Sequence, residues 1–193
     1  MKILVCGMPR SGSTLCATII NNIFKLNNET SKIIYIHEIE NLKKLNNLKY
    51  DNIIIKIHEF NVKSQILQEN NHFIAKNLIK WADKIVLTER ELIYSIASMI
   101  RKKKKKNKKL IKCNINQNII NFNIDNELDL IKYTLFIKKN CLEKWKQYKN
   151  YLFKYENYVE NKDLVLNELK NLLNNKENNL ILNLDNNKIL DNL

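Results

Sequence analysis

The sequence predicts a three-layer α/β/α fold with a mostly parallel sheet of about five strands, of the phosphate-loop-like nucleotide-binding kind. Three observations carry this reading. Short runs rich in Ile, Leu and Val alternate with longer helical stretches along a chain of 193 residues. The first run leads straight into Gly7-Met8-Pro9-Arg10-Ser11-Gly12-Ser13-Thr14. The chain holds two glycines and one proline, and all three lie in that loop. The loop between first strand and first helix is therefore the place with special backbone demands.

Residues 2–6 are apolar throughout after Lys2, as in a parallel strand buried on both faces. Residues 13–26 follow the loop as a helix. Residues 33–36 read as a second strand and 38–46 as a weak helix. Residues 53–57 form a third strand that ends at His58, and 61–81 are mostly helical. Residues 84–88 are a fourth strand and 91–105 a helix. The Asn- and Ile-rich segment 110–124 has no assignable pattern and is a candidate acceptor loop. A long helix covers 126–149, a fifth strand 151–155 and a last helix 162–173. The length suits one α/β domain over residues 1–175, followed by an Asn-rich tail over 176–193 in which Leu180-Ile181-Leu182 is a candidate edge strand.

The formal net charge is +13. Such a charge suits an anionic partner, but Lys, Asn and Ile are frequent everywhere, so position rather than total charge carries information. The basic run 101–109 has no interleaved aromatic residue, which argues against nucleic acid and reads as a solvated helix end, although it can also border a phosphate site or hold an anionic ligand such as a glycan. Cys6, Cys16, Cys113 and Cys141 have neither zinc-knuckle nor Cys-x-x-Cys spacing and read as reduced thiols of a cytoplasmic protein. A strand that starts at residue 2 leaves no room for a signal peptide before it, and no apolar run reaches the ~20 residues of a membrane span. His37 and His72 have no constellation around them, and Trp81 and Trp145 read as core.

Strand, glycine loop and helix together form an anion cradle: backbone N–H groups converge and the helix N-terminus adds partial positive charge. The Gly-x-x-x-x-Gly spacing matches a Walker A loop, but Ser13 stands where its lysine belongs. Arg10 can supply the missing cation. No acidic residue ends a strand to hold magnesium, since Asp51 and Asp83 both precede theirs. A cationic loop without metal ligands suits a sulfuryl group, which carries one negative charge fewer than a phosphoryl group.

Pro9-Arg10-Ser11-Gly12-Ser13-Thr14 resembles the 5′-phosphosulfate loop of the sulfotransferases that use 3′-phosphoadenosine-5′-phosphosulfate (PAPS). Three further segments follow in that family's order. Lys56-Ile57-His58 resembles its Lys-Thr-His, which implies His58 as general base and Lys56 as the cation that assists the leaving group, with Arg10 beside them. Arg90 and Ser98, eight residues apart after the fourth strand, resemble its 3′-phosphate clamp. Tyr155-Glu156 resembles its Tyr-Glu-Asp, which implies Tyr155 near adenine, whereas Glu156 reads as structural. The resemblance runs over residues 2–175. It departs at Glu59-Phe60 in place of proline, where Glu59 offers a second base, at Glu91-Leu92, and at Leu15, where many members have an aromatic residue. The Arg-Lys-Gly loop of many cytosolic members has no counterpart.

The resemblance thus implies sulfuryl transfer from PAPS, without metal, to a small-molecule or glycan hydroxyl or amine. Two other readings stay open: a phosphate-loop nucleotide kinase, against which the missing Walker lysine counts, and an inactive nucleotide-binding protein. Acceptor and oligomeric state are not legible.

Overall fold

A computed structural model describes residues 1–35, 45, 48–58, 74–115, 118–174, 179–191 and 193. Of the expected helix 38–46 only residue 45 is described, and residues 61–73, His37, His72 and Glu59 lie outside the described residues. Five strands form one parallel sheet: β1 (Lys2–Gly7), β2 (Ser31–Tyr35), β3 (Asn52–Ile57), β4 (Lys84–Glu89) and β7 (Tyr151–Lys154). Their order is β2-β3-β1-β4-β7, so β1 lies at the centre with its loop between two flanking strands.

The alternation of side chains along each strand builds two cores from one apolar run. Ile3 and Val5 face one side with Ile54, Val86 and Phe153; Leu4 and Cys6 face the other with Ile55, Ile57, Ile85 and Leu87. Helices α1 (Ser13–Leu26) and α6 (Lys162–Leu173) cover the first face. Leu78 of α2 (Ile74–Trp81) and the fully buried Trp145 cover the second. These are the three layers predicted, with strands within a residue or two of their expected bounds.

Three regions differ from the sequence expectation or complete it. Segment 110–124 is an antiparallel hairpin, β5 (Leu110–Ile115) with β6 (Asn118–Asn123), separate from the main sheet. Ile111 and Phe122 pack it against Met8, Met99 of α3 (Leu92–Lys105) and Tyr133 of α4 (Glu127–Ile137). The long helix beyond residue 126 is α4 continued by a π-turn, Lys138–Glu143, and a last turn, Lys144–Lys146, which together bury Cys141, Leu142 and Trp145. Asn126 starts it by accepting from the Asp129 amide at 3.1 Å, and Asn161 starts α6 by accepting from Leu164 at 3.0 Å, so part of the asparagine excess serves as helix caps.

The Asn-rich C-terminal stretch contains a 3₁₀ turn, Asn179–Asn183, and α7 (Asn186–Asp191), with no strand among its described residues. Ile181 and Ile189 are buried against the α1–α6 face. The buried Lys170 donates to the Leu184 carbonyl at 2.9 Å, and Asn22 donates to that of Ile189 at 3.3 Å. Cys6, Cys16 and Cys141 are free thiols, and burial pushes the Cys6 and Cys16 thiols up. No described helix is long and apolar enough to cross a membrane.

Because Ile189 is fully buried, Ile189→Ala is expected to cost about 2–4 kcal/mol in urea unfolding through transfer and cavity terms. A change below about 0.5 kcal/mol would show that this stretch is not docked.

Candidate functional site

The carboxyl ends of β1, β3 and β4 meet around the loop at residues 7–14. Gly7 has φ +146°, and a Cβ there would run into the carbonyl and hydroxyl of Thr88. Gly12 has φ +89°, and a Cβ there would lie 2.9 Å from the Tyr155 ring. Both glycines are thus fixed by a close approach as well as by backbone angle. Thr88 donates its hydroxyl to the Cys6 carbonyl at 3.1 Å, so in its 2.6 Å contact with Ser11 the Ser11 hydroxyl is the donor. The Ser11 amide bonds the Met8 carbonyl at 3.2 Å. Ser11 is fully buried and holds the loop together from within.

Above it lies a cleft of about 370 Å³, lined by Pro9, Arg10, Gly12, Ser13, Thr14 and Leu15 of the loop and first helical turn, and by Lys56, His58, Arg90, Lys102 and Tyr155. No side chain caps α1, whose first turn has no acidic residue. Uncapped amides and the helix dipole give this wall positive potential. Among the described residues, four cations line the cleft and no carboxylate does. Asp51 and Asp83 sit at the opposite end of the sheet, bonded to the Thr30 and Lys2 amides.

Lys56 lies with Nζ 2.6 Å from the Thr14 hydroxyl and 5.1 Å from the centre of the Tyr35 ring. Burial, then the charges of Lys102 and Arg10, push its pKa down. His58 Nδ1 lies 3.0 Å from the Gly7 carbonyl oxygen. A carbonyl only accepts, so Nδ1 carries the proton and Nε2 keeps its lone pair. The fully buried Trp145 donates to the His58 carbonyl at 3.2 Å and fixes the backbone there. Burial above all, with a smaller contribution from Lys56, pushes the imidazole down to about 4, against the pull of the Gly7 bond.

Arg90 follows β4 and stacks on Tyr155, guanidinium carbon to ring centre 4.4 Å, with a buried Nε that has no hydrogen-bond partner among the described residues. Tyr155 opens a short helix, α5 (Tyr155–Glu160), rather than ending the strand as the sequence suggested. Glu156 accepts from the amide of Glu91, the residue before α3, at 3.1 Å. The Ser98 hydroxyl accepts from Arg10 Nε at 2.9 Å.

The structure therefore brings His58, Lys56, Arg10, Arg90 and Tyr155 together with Pro9, Gly12, Ser13 and Thr14. It turns the Ser11 side chain inward. Sequence reasoning weighed the basic run 101–109 as a border of the site without singling out Lys102, which stands one helical turn beyond Ser98 on the same face. It also missed Tyr35, Ser95 and the role of Trp145. No family model matches the chain, and no curated protein matches it significantly.

The pKa of His58 in the folded protein lies below its unfolded value of 6.5. Between these values the unfolded chain binds a proton that the native state does not, so stability falls as pH drops from about 6.5 towards 4. Urea unfolding at pH 7 and 4.5 should show this acid loss smaller by about 2 kcal/mol in His58→Gln. Equal losses in both proteins would mean that His58 is not held neutral.

Proposed function

We propose that this protein is a sulfotransferase that moves a sulfuryl group from PAPS to a hydroxyl or amine of a small-molecule or glycan acceptor. The observation that carries the reading is His58, with its Nδ1 proton committed to the Gly7 carbonyl, in one cleft with Lys56 and a cationic phosphate loop. The order of the four segments in the sequence supports it. Among the described residues, cations line the cleft where a magnesium-dependent kinase would need carboxylates.

In this reading the acceptor oxygen attacks sulfur while the bond from sulfur to the bridging phosphate oxygen breaks. The acceptor proton goes to His58 Nε2, and the leaving phosphate keeps the electron pair. Lys56 and Arg10 neutralise the charge that develops on the leaving oxygen, and the first-turn amides of α1 hold the non-bridging oxygens. An anionic donor also offsets the Lys56 charge beside His58, which raises the basicity of the imidazole when a base is needed. Arg90 provides the cation for the 3′-phosphate, and Tyr155 supports its guanidinium from below.

Thermal stabilisation by 3′,5′-adenosine bisphosphate, 5′-AMP and ATP with magnesium tests the donor class. The bisphosphate is expected to stabilise most, and Arg90→Ala to remove its advantage over 5′-AMP. Stabilisation by ATP with magnesium alone would replace this reading with a kinase. In an acceptor screen, His58→Ala should lower kcat by about 10²–10⁴-fold with bisphosphate affinity unchanged. An undiminished rate would remove His58 from the base role.

A further inference from the structure

Helix α4 is apolar on two opposite faces. Tyr133 and Ile137 are buried in the core beneath the hairpin, with Leu130 and Phe136 packed against it. On the outer side, Leu128, Ile131 and Leu135 are 59%, 57% and 62% exposed. Their spacing of three and then four residues lines them up as one stripe along the helix. Single exposed apolar side chains are ordinary on a protein surface. A continuous stripe is not, because a helix that is apolar all round is normally covered all round. Lysines frame this stripe. Lys132 and Lys139 stand four residues after Leu128 and Leu135, and both are exposed. At the amino end of α4, Lys104 and Lys109 reach Asp125 at 3.9 and 4.0 Å, which brings the basic run against the helix start. Five of residues 104–109 are lysine, and all five are exposed. Of the neighbouring carboxylates, Asp125 is shared by two lysines and Asp129 accepts from the Asn123 amide at 2.8 Å, which leaves Glu127.

We propose that the outer face of α4, with the lysines that frame it, is a docking surface for an anionic lipid bilayer. Leu128, Ile131 and Leu135 enter to the depth of the headgroups, and the lysines meet the negative charge of the lipids. Lysine suits this border because its stem lies along apolar surface while its ammonium stays in the polar layer. At 11 residues α4 is too short to span a bilayer, so it lies on one. A second copy of this chain fits the face less well. It would bring two lysine-framed surfaces of like charge together, and three side chains are few against the roughly 20–30 residues a side of a stable interface. Charge complementarity therefore favours a surface that is anionic and apolar just beneath. The inference goes beyond the sulfotransferase reading and does not rest on it.

The test is co-sedimentation of the full chain with vesicles of phosphatidylcholine alone and of phosphatidylcholine mixed with phosphatidylserine. Wild type is expected on the mixed vesicles and not on the neutral ones. The variant L128Q/I131Q/L135Q keeps the net charge of +13 and should bind the mixed vesicles about tenfold more weakly or worse. K132Q/K139Q keeps the stripe and should lose about tenfold as well. All five positions are exposed, so both variants should unfold at the wild-type temperature. Arg90→Ala, in the cleft, should bind the vesicles as wild type. Undiminished binding by the stripe variant would mean that net charge alone carries the contact and would overturn the proposal. Absence of wild-type binding would overturn it too, as would loss of binding in Arg90→Ala, which would put the lipid in the cleft. A wild-type dimer in sedimentation velocity that the stripe variant splits would give the face to a second copy instead. A protein that shows the expected vesicle pattern and binds no nucleotide keeps the docking face and loses the sulfotransferase reading.

Discussion

The site depends on the close approach of two backbones where β1 and β4 end. Gly7 fits only because it has no Cβ to meet Thr88. The same threonine ties the Cys6 carbonyl to the Ser11 hydroxyl, so the loop's entry and its middle hang on one side chain. The Gly7 carbonyl in turn holds the ring of His58 at the end of the neighbouring strand. Three strands are thus coordinated through one junction. A Cβ at Gly7 would run into Thr88 and come within 3.2 Å of the Ser11 hydroxyl, and so disturb the anion cradle and, through the Gly7 carbonyl, the histidine.

Charge is separated along the strand direction. Asp51 and Asp83 precede β3 and β4 and are consumed by main-chain amides at the amino end of the sheet. Arg10, Lys56, Arg90 and Lys102 gather at the carboxyl end, where parallel α/β sheets place their ligands. A net charge of +13 says little in a lysine-rich chain. The absence of any carboxylate from the described lining of a small cleft says more, because field lines concentrate in such a concavity.

The sheet was legible because each of its strands is a compact apolar run and because the glycines and proline mark a single loop. The hairpin β5–β6 was not. Its connection, Asn116-Gln117, contains neither glycine nor proline, the residues by which such turns are read. Its Ile and Asn residues also belong to a bias that runs through the whole chain. That bias hid Lys102 among other lysines in the same way. The Arg90–Ser98 register puts Ser98 on a helix face without saying which loop residue arrives there, and in the structure that residue is Arg10. The bond between His58 and Gly7 was out of reach for another reason: one partner is a main-chain carbonyl, and every residue has one.

That carbonyl sets a limit on how the imidazole can be tuned. Where a histidine is oriented by a carboxylate, exchange of Asp for Asn or Glu alters its basicity in one step. A peptide oxygen offers the genetic code no such handle, and the residue that bears it is a glycine that cannot be enlarged. Evolution or engineering that seeks a stronger base here must work through the other surroundings of the ring. Lys56 and the packing around Trp145 are the adjustable parts.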